Sequence, residues 1–331
     1  MLFSSHRPVL PQNPSASKAL FSQDECGYNR RSCPGYSPNY LAFAGVSGFS
    51  RPPSPGKIQT ETADDFTVTN CVVINQATFT GLIPSGAPLS SVANVEVEIY
   101  HLFPIDSDTN RTLRVPTRTG SPADNEIDDA TRDSLHGSLS FTVTLLNASF
   151  TAANSVVNGI NPIPNQRTGG EGPVTGQEVL ITVTFNPPIA LPANHYFFRP
   201  EAQLSSGNFL WLSAPKTIPA PADLQSWIRN DNLAPDWLRI GTDIVGGSPA
   251  PTFNAAFSLS GETDADCDGV ADSLDLCPGT PPGAVVDAHG CSIDQIAPCN
   301  GPASGGPWRS EDQAQAIITT AAQSKCGAKA R

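Results

Sequence analysis

Three short runs alternate apolar and polar side chains: VEVEIY at 95–100, LSFTVTLL at 139–146 and EVLITVTF at 178–185. In an extended chain successive side chains point to opposite faces. Such runs therefore set one group on a buried face and the other toward water. DFTVTN (65–70), ATFTGLI (77–83), HYFFRPEAQL (195–204), NFLWLSA (208–214) and FNAAFSLSG (253–261) are further strand candidates. Turn chemistry punctuates them, with Pro-Ser-Gly at 84–86, Asn-Pro-Pro at 186–188 and Ser-Gly-Asn at 206–208. About eight short strands with long polar connections predict a mainly β fold, an antiparallel β-sandwich or jelly roll over residues 58–261. One stretch reads differently. DLQSWIRNDNL at 223–233 opens on a capping Asp223 and sets Leu224, Trp227 and Ile228 on one face, which predicts a helix.

Composition supports the β reading and narrows the partners. Proline (32) and glycine (27) are abundant, and only 15% of residues are charged. The net charge of −12 argues against nucleic acid, whose phosphates need clustered Lys and Arg, and against an anionic bilayer surface. No run is long and apolar enough to insert in a membrane. Eight cysteines occur, with no Cys-x-x-Cys spacing, so a zinc ribbon or thioredoxin-type site is not expected. Their even number and Pro/Gly-rich surroundings point to disulfides rather than scattered thiols, and so to an extracellular or cell-surface home. Against this, MLFSSHRPVLPQNPSASKALFSQ lacks the unbroken apolar core of a signal peptide. Either a signal lies upstream of this start or the chain is not exported.

Four regions follow from these patterns. Residues 1–57 are Pro/Ser-rich and expected to be loop or partly disordered. They carry Cys26 and Cys33 around a solvated Arg30-Arg31 pair and end in the breaker run RPPSPG. The β-domain occupies 58–261. Residues 262–294 hold eight acids and no Lys or Arg. Residues 295–331 contain EDQAQAIITTAAQSKCG. Its apolar positions Ala314, Ile317, Ile318, Ala321 and Ala322 predict a short amphipathic helix, which Cys299 and Cys326 bracket and are placed to staple.

Within the acidic region, DADCDGVADSLD places five aspartates in twelve residues. Calcium wants six to eight oxygens at about 2.3–2.6 Å, and aspartates on alternate residues of a tight loop converge on one centre. Asp264, Asp266 and Asp268 have that spacing. Gly269 follows where the chain turns, and Asp272 and Asp275 fall at the ninth and twelfth positions of an EF-hand register. The twelfth residue is Asp rather than Glu and no helices flank the loop, so an EF-hand proper is not expected. A solvated linker would show irregular spacing and mixed Glu and Asp. The register favours a cation site, and Ca2+ is the cofactor expected.

The longer run from Asp264 to Cys291, DADCDGVADSLDLCPGTPPGAVVDAHGC, resembles a thrombospondin type 3 repeat in the form common in bacterial surface proteins. The resemblance covers under a tenth of the chain. It implies calcium ligation by Asp264, Asp266, Asp268, Asp272 and Asp275, with the Val270 carbonyl at the seventh position. It implies little regular structure, and places Asp287 in a second, incomplete unit. Cys277 with Cys291 and Cys299 with Cys326 are the pairings preferred beside it. Two departures stand out: Cys267 interrupts the ligands, and one repeat stands where thrombospondins have an array. The ADDF…TFTG opening and FNAAFSLSGE ending of the β-domain also resemble sandwich domains of secreted bacterial proteins without assigned activity.

A catalytic set is not legible. There is no H-E-x-x-H or G-x-S-x-G, and His195 reads as a strand-edge residue rather than a base. Asp124, Glu126, Asp128, Asp129 and Asp133 read as a solvated acidic loop, ahead of a loop cation site or a glycosidase carboxylate pair. Trp211, Trp227 and Trp237 read as core, ahead of a sugar-stacking platform. Asn110 and Asn147 head glycosylation triplets that matter only in a glycosylating host. The expectation is a non-catalytic, calcium-binding secreted or surface protein with a structural or adhesive role, its partner a cell-surface or matrix protein or a glycan. The alternatives are a carbohydrate-binding module or a component of a polysaccharide-active enzyme.

Overall fold

The computed structural model describes residues 18–22, 43–47, 58–158, 160, 167–214, 225–248, 250 and 253–296. In chain order its strands are β1 (Lys18–Ser22), β2 (Phe43–Ser47), β3 (Thr60–Val68), β4 (Val72–Ile83), β5 (Val92–Leu102), β6 (Pro122–Glu126), β7 (Arg132–Asp133), β8 (Leu139–Ala152), β9 (Asn154–Val156), β10 (Val174–Leu191), β11 (Asn194–Leu204), β12 (Phe209–Ala214), β13 (Trp227–Asn230), β14 (Leu238–Arg239), β15 (Asn254–Ala255) and β16 (Phe257–Thr263). A single helical turn, α1 (Ile293–Ile296), follows. The fold is mainly β, a sandwich of two sheets paired antiparallel except for the short β2–β9 ladder.

β4 is the axis of the first sheet. β10 and then β8 pair along one side of it, and β16 and β12 share the other. The second sheet runs β14-β13-β3-β11-β5-β6, with β7 also on β5. The alternating residues meet between the sheets. Ile74, Phe79, Val179, Ile181, Val183 and Phe257 come from one side, and Phe66, Val95, Val97, Ile99, Tyr196 and Phe198 from the other. Trp211 joins this layer and donates its indole N–H to the Ala256 carbonyl at 3.0 Å.

All eight strands read from sequence are present. Three local expectations are corrected. Residues 227–230 are strand β13, not helix. Trp227 packs into one apolar cluster and Ile228 into another, so both faces are buried and the apolar spacing mimics a helix. Pairing with Thr60–Ala63 of β3 decides the outcome. Asn-Pro-Pro at 186–188 is not a chain reversal. β10 continues through it to Leu191, with a bulge between Thr184 and Ile189 that absorbs residues unable to join the ladder. Ahead of residue 58, where loop is expected, β1 and β2 add strands to the first sheet, on β16 and β12. The helix expected within 311–327 and the pairing Cys299–Cys326 lie outside the described residues.

Candidate metal centre

The acidic segment is not a free linker. β16 carries the chain to Thr263, where it pairs with Val72 at the start of β4. The loop leaves from there. The Asp264 amide donates to the Cys71 carbonyl at 3.0 Å, and the Asp272 amide returns to the Thr263 carbonyl at 2.9 Å. Cys267 is bonded to Cys71, and Cys277 to Cys291. The second pairing is the one preferred from sequence. The first was not legible, although Cys267 stood out for its place between two acids. It closes a separation of 196 residues.

Ligand atoms of Asp264, Asp266 and Asp268 lie within 4.8 Å of one another. Turn chemistry shapes this convergence. Asp264 accepts the amides of Asp268 (3.2 Å) and Gly269 (2.8 Å), folding the loop back over its first acid. Asp268 Oδ1 accepts the Val270 amide at 2.8 Å, and Asp275 Oδ1 that of Cys277 at 2.7 Å. Gly269 has φ +91°, the left-handed turn that its place in the register demands. Asp268 Oδ2 is buried with no hydrogen-bond partner.

Asp275 belongs to the same space. A side chain at Gly290 would meet Asp275 Oδ1 at 2.3 Å and Asp268 Oδ2 at 2.8 Å, so both carboxylates crowd one point that only glycine leaves open. Burial, then the charges of Asp266 and Asp264, raise both the Asp268 and Asp275 carboxyls above the usual range. Asp266 is held below it. Its small burial acts upward, but the Thr280 and Gly279 amides, at 2.7 and 2.6 Å, outweigh that. Asp272 stands apart. Its oxygens accept the Ala265 amide and the Thr263 hydroxyl, bracing the loop entrance. The Val270 side chain is half-buried, and its amide rather than its carbonyl makes the bond given above. Asp287 accepts the amides of His289 and Cys291, which shapes the Gly290 turn.

A second grouping of acids was missed from sequence. The residues of β5 and β11 that alternate with the core do not face water. Glu96, Glu98, Arg199 and Glu201 are buried, on the sheet that also carries the buried cluster of Ala63, Tyr100, Phe197, Trp227 and Trp237. Arg199 is fully enclosed and reaches Glu61 at 2.6 Å, Glu201 at 2.7 Å, Glu96 at 3.1 Å and Glu98 at 3.3 Å. Arg229 adds an ion pair to Glu61 and a 2.9 Å bond to the Tyr100 hydroxyl. Burial alone would raise the Glu61 carboxyl, but Arg229 and Arg199 draw it down to about 2. Glu96 goes the other way. Burial dominates and Glu98 adds repulsion, so despite Arg199 its pKa rises to about 7. Burial likewise raises Glu201. Among the described residues, these glutamates do not bring three ligand atoms as close as the loop aspartates do.

The remaining candidates resolve as structure. Asp124 is no part of a solvated loop. It is mostly buried and clamped by Arg111 and Arg118. Asp133 is buried too, capping the Leu135 amide at 2.7 Å. His195 pairs with Asp65 at 2.8 Å on the sheet. Trp211, Trp227 and Trp237 are at most 2% exposed, so none offers a stacking platform.

No family model and no solved structure matches the chain. Over 44 residues, 13% of its length, it is 57% identical to a protein described as an alpha-agarase from Thalassotalea agarivorans. That stretch is 3% of the agarase, so the chain spans only a small fraction of this relative. Among the described residues no helix is long and apolar enough to cross a membrane. The two disulfides point to a compartment other than the cytoplasm.

Proposed function

We propose that this chain is a calcium-binding, non-catalytic structural or adhesive protein of the extracellular space or cell surface, with the ion held by the 264–275 loop of a thrombospondin type 3-like segment. The observation that carries this reading is the convergence of Asp264, Asp266 and Asp268 in a stretch free of basic residues. Carboxylates packed this closely repel one another unless a cation sits among them. Asp268 Oδ2, buried and unpartnered, supports the same reading, as does Asp275 beside it. Asp264, Asp266, Asp268 and Asp275 would supply the charged oxygens and Val270 a carbonyl. Asp272 would serve through its bracing of the loop entrance.

Calorimetric titration of oxidised, calcium-stripped protein tests it, with Asp266→Ala/Asp268→Ala alongside. The expected result is saturable binding near roughly 10⁻⁴ to 10⁻³ M, the range of extracellular modules, lost in the variant. Absence of binding heat together with unchanged protease sensitivity would return the segment to a linker. The agarase match favours a second reading, a component of a polysaccharide-active enzyme. Retention of the protein on agarose beads would support that reading, and free passage through them would remove it.

A further inference from the structure

Cys267 occupies an unusual place. It lies between Asp266 and Asp268, and its backbone is left-handed, with φ +62°. Side-chain-bearing residues avoid that region, so the conformation needs support from outside the loop. That support comes from the β-sandwich. Cys71 directly precedes β4, the axis of the first sheet, and is buried. Its Cα lies 5.4 Å from that of Cys267. The Asp264 amide on the Cys71 carbonyl makes a second tie at the same spot. Gly269, on the far side of the turn, faces Ala190 of β10. The middle of the ligand run is therefore fastened covalently to the strands that form the core, in addition to the hydrogen bonds that Asp266 accepts from Gly279 and Thr280.

We infer that the Cys71–Cys267 disulfide is a positioning element of the cation loop, holding Asp266 and Asp268 at ligand spacing before the ion arrives. This rests on the calcium reading above. Without the staple, mutual repulsion of the aspartates spreads the loop, and binding must collect it again. With the staple, that ordering is complete before binding. The linkage is reciprocal: whatever factor the bond adds to calcium affinity, calcium adds to the bond's resistance to reduction.

The test compares calcium titrations of the full chain with those of Cys71→Ser/Cys267→Gly. Glycine at 267 keeps the left-handed backbone accessible, so the comparison isolates the covalent tie. Affinity should fall about tenfold or more, within the roughly 5–150-fold range of coupling between sites. A parallel measurement on the wild-type chain does not depend on the variant folding. Dithiothreitol reduces the bond, giving two thiols to the protein and itself becoming a cyclic disulfide. Differential alkylation and peptide mapping report how far Cys71 and Cys267 are reduced at equilibrium. Calcium should shift that equilibrium toward the disulfide by the same factor, relative to chelator. Equal calcium affinity in a folded variant, or a reduction equilibrium blind to calcium while wild type binds the ion, overturns the inference. Wild type that binds no calcium overturns the underlying reading instead, a distinguishable result.

Discussion

Two groups of acids are built into this fold, and they are balanced in opposite ways. On the outer face of the second sheet, Glu61, Glu96, Glu98 and Glu201 surround Arg199, with Arg229 beside Glu61. In the 264–275 loop, five aspartates have no basic residue among them. The first group carries its counter-ions in the chain. Pairing came with folding, so burial was possible, and where the two arginines do not suffice, burial raises the Glu96 and Glu201 carboxyls. The second group stays near the surface and uses backbone amides to aim its oxygens. The difference teaches that an acidic cluster becomes a candidate ion site when its convergence has no internal cation to account for it.

Removing the internal cation gives the largest expected effect. Arg199→Met leaves four acids buried around an apolar side chain. It should lower the unfolding free energy by about 3–5 kcal/mol, or prevent folding, as read by urea denaturation. The corresponding change in the loop, Asp266→Ala/Asp268→Ala, should leave calcium-free stability nearly unchanged, because it removes repulsion together with the turn bonds. Equal losses in the two experiments would erase the contrast.

The protons are the next lever. Folded Glu96 keeps its proton to about pH 7, whereas the unfolded chain releases it near 4.5. Between those values the folded state binds more protons, so stability falls as pH rises through the window. The drop is on the order of 3 kcal/mol. Glu61 works at the other end, its pKa lowered from 4.5 to about 2. Its contribution is present above pH 4.5 and is lost as pH falls toward 2. Denaturation midpoints in chelator should therefore peak near pH 4–5, and Glu96→Gln should flatten the decline toward pH 8. A decline that persists in Glu96→Gln would assign it to another group.

Gly290 offers the smallest change with a specific outcome. A methyl group there would push on Asp275 and Asp268, at a backbone φ of +74°. Gly290→Ala should weaken calcium binding about tenfold, equivalent to about 1.4 kcal/mol, while Gly283→Ala, where nothing lies within 4 Å, serves as a control for backbone strain alone. Equal losses in the two variants would detach Gly290 from the site.

Much of the architecture was legible because period-two alternation reports directly on a sheet face. VEVEIY and EVLITVTF fall within β5 and β10. What alternation does not report is what covers the other face. Thr142, Thr144 and Thr184 meet water, as their pattern suggests, whereas Glu96 and Glu98 meet Arg199. The signal that would have separated them is a cross-strand one: Arg199 stands opposite Glu98, and Glu201 opposite Glu96, visible only once β11 is set against β5 in register. The aspartate register placed Asp264, Asp266, Asp268 and Asp275 together because short-range turn chemistry decides it. Asp272 turned to the loop entrance to brace the chain, a choice that depends on Thr263 and Ala265. The bond between Cys71 and Cys267 depends on two strand ends meeting, and spacing along the chain carries no trace of that.

Carboxyl-carbon NMR during a calcium titration tests the contrast most directly, since it reports on both groups in one sample. The account predicts that side-chain carboxyl signals of Asp264, Asp266, Asp268 and Asp275 shift and saturate together, while those of Glu61, Glu96, Glu98 and Glu201 stay in place. Aspartate signals that ignore calcium, or glutamate signals that move with it, would contradict it.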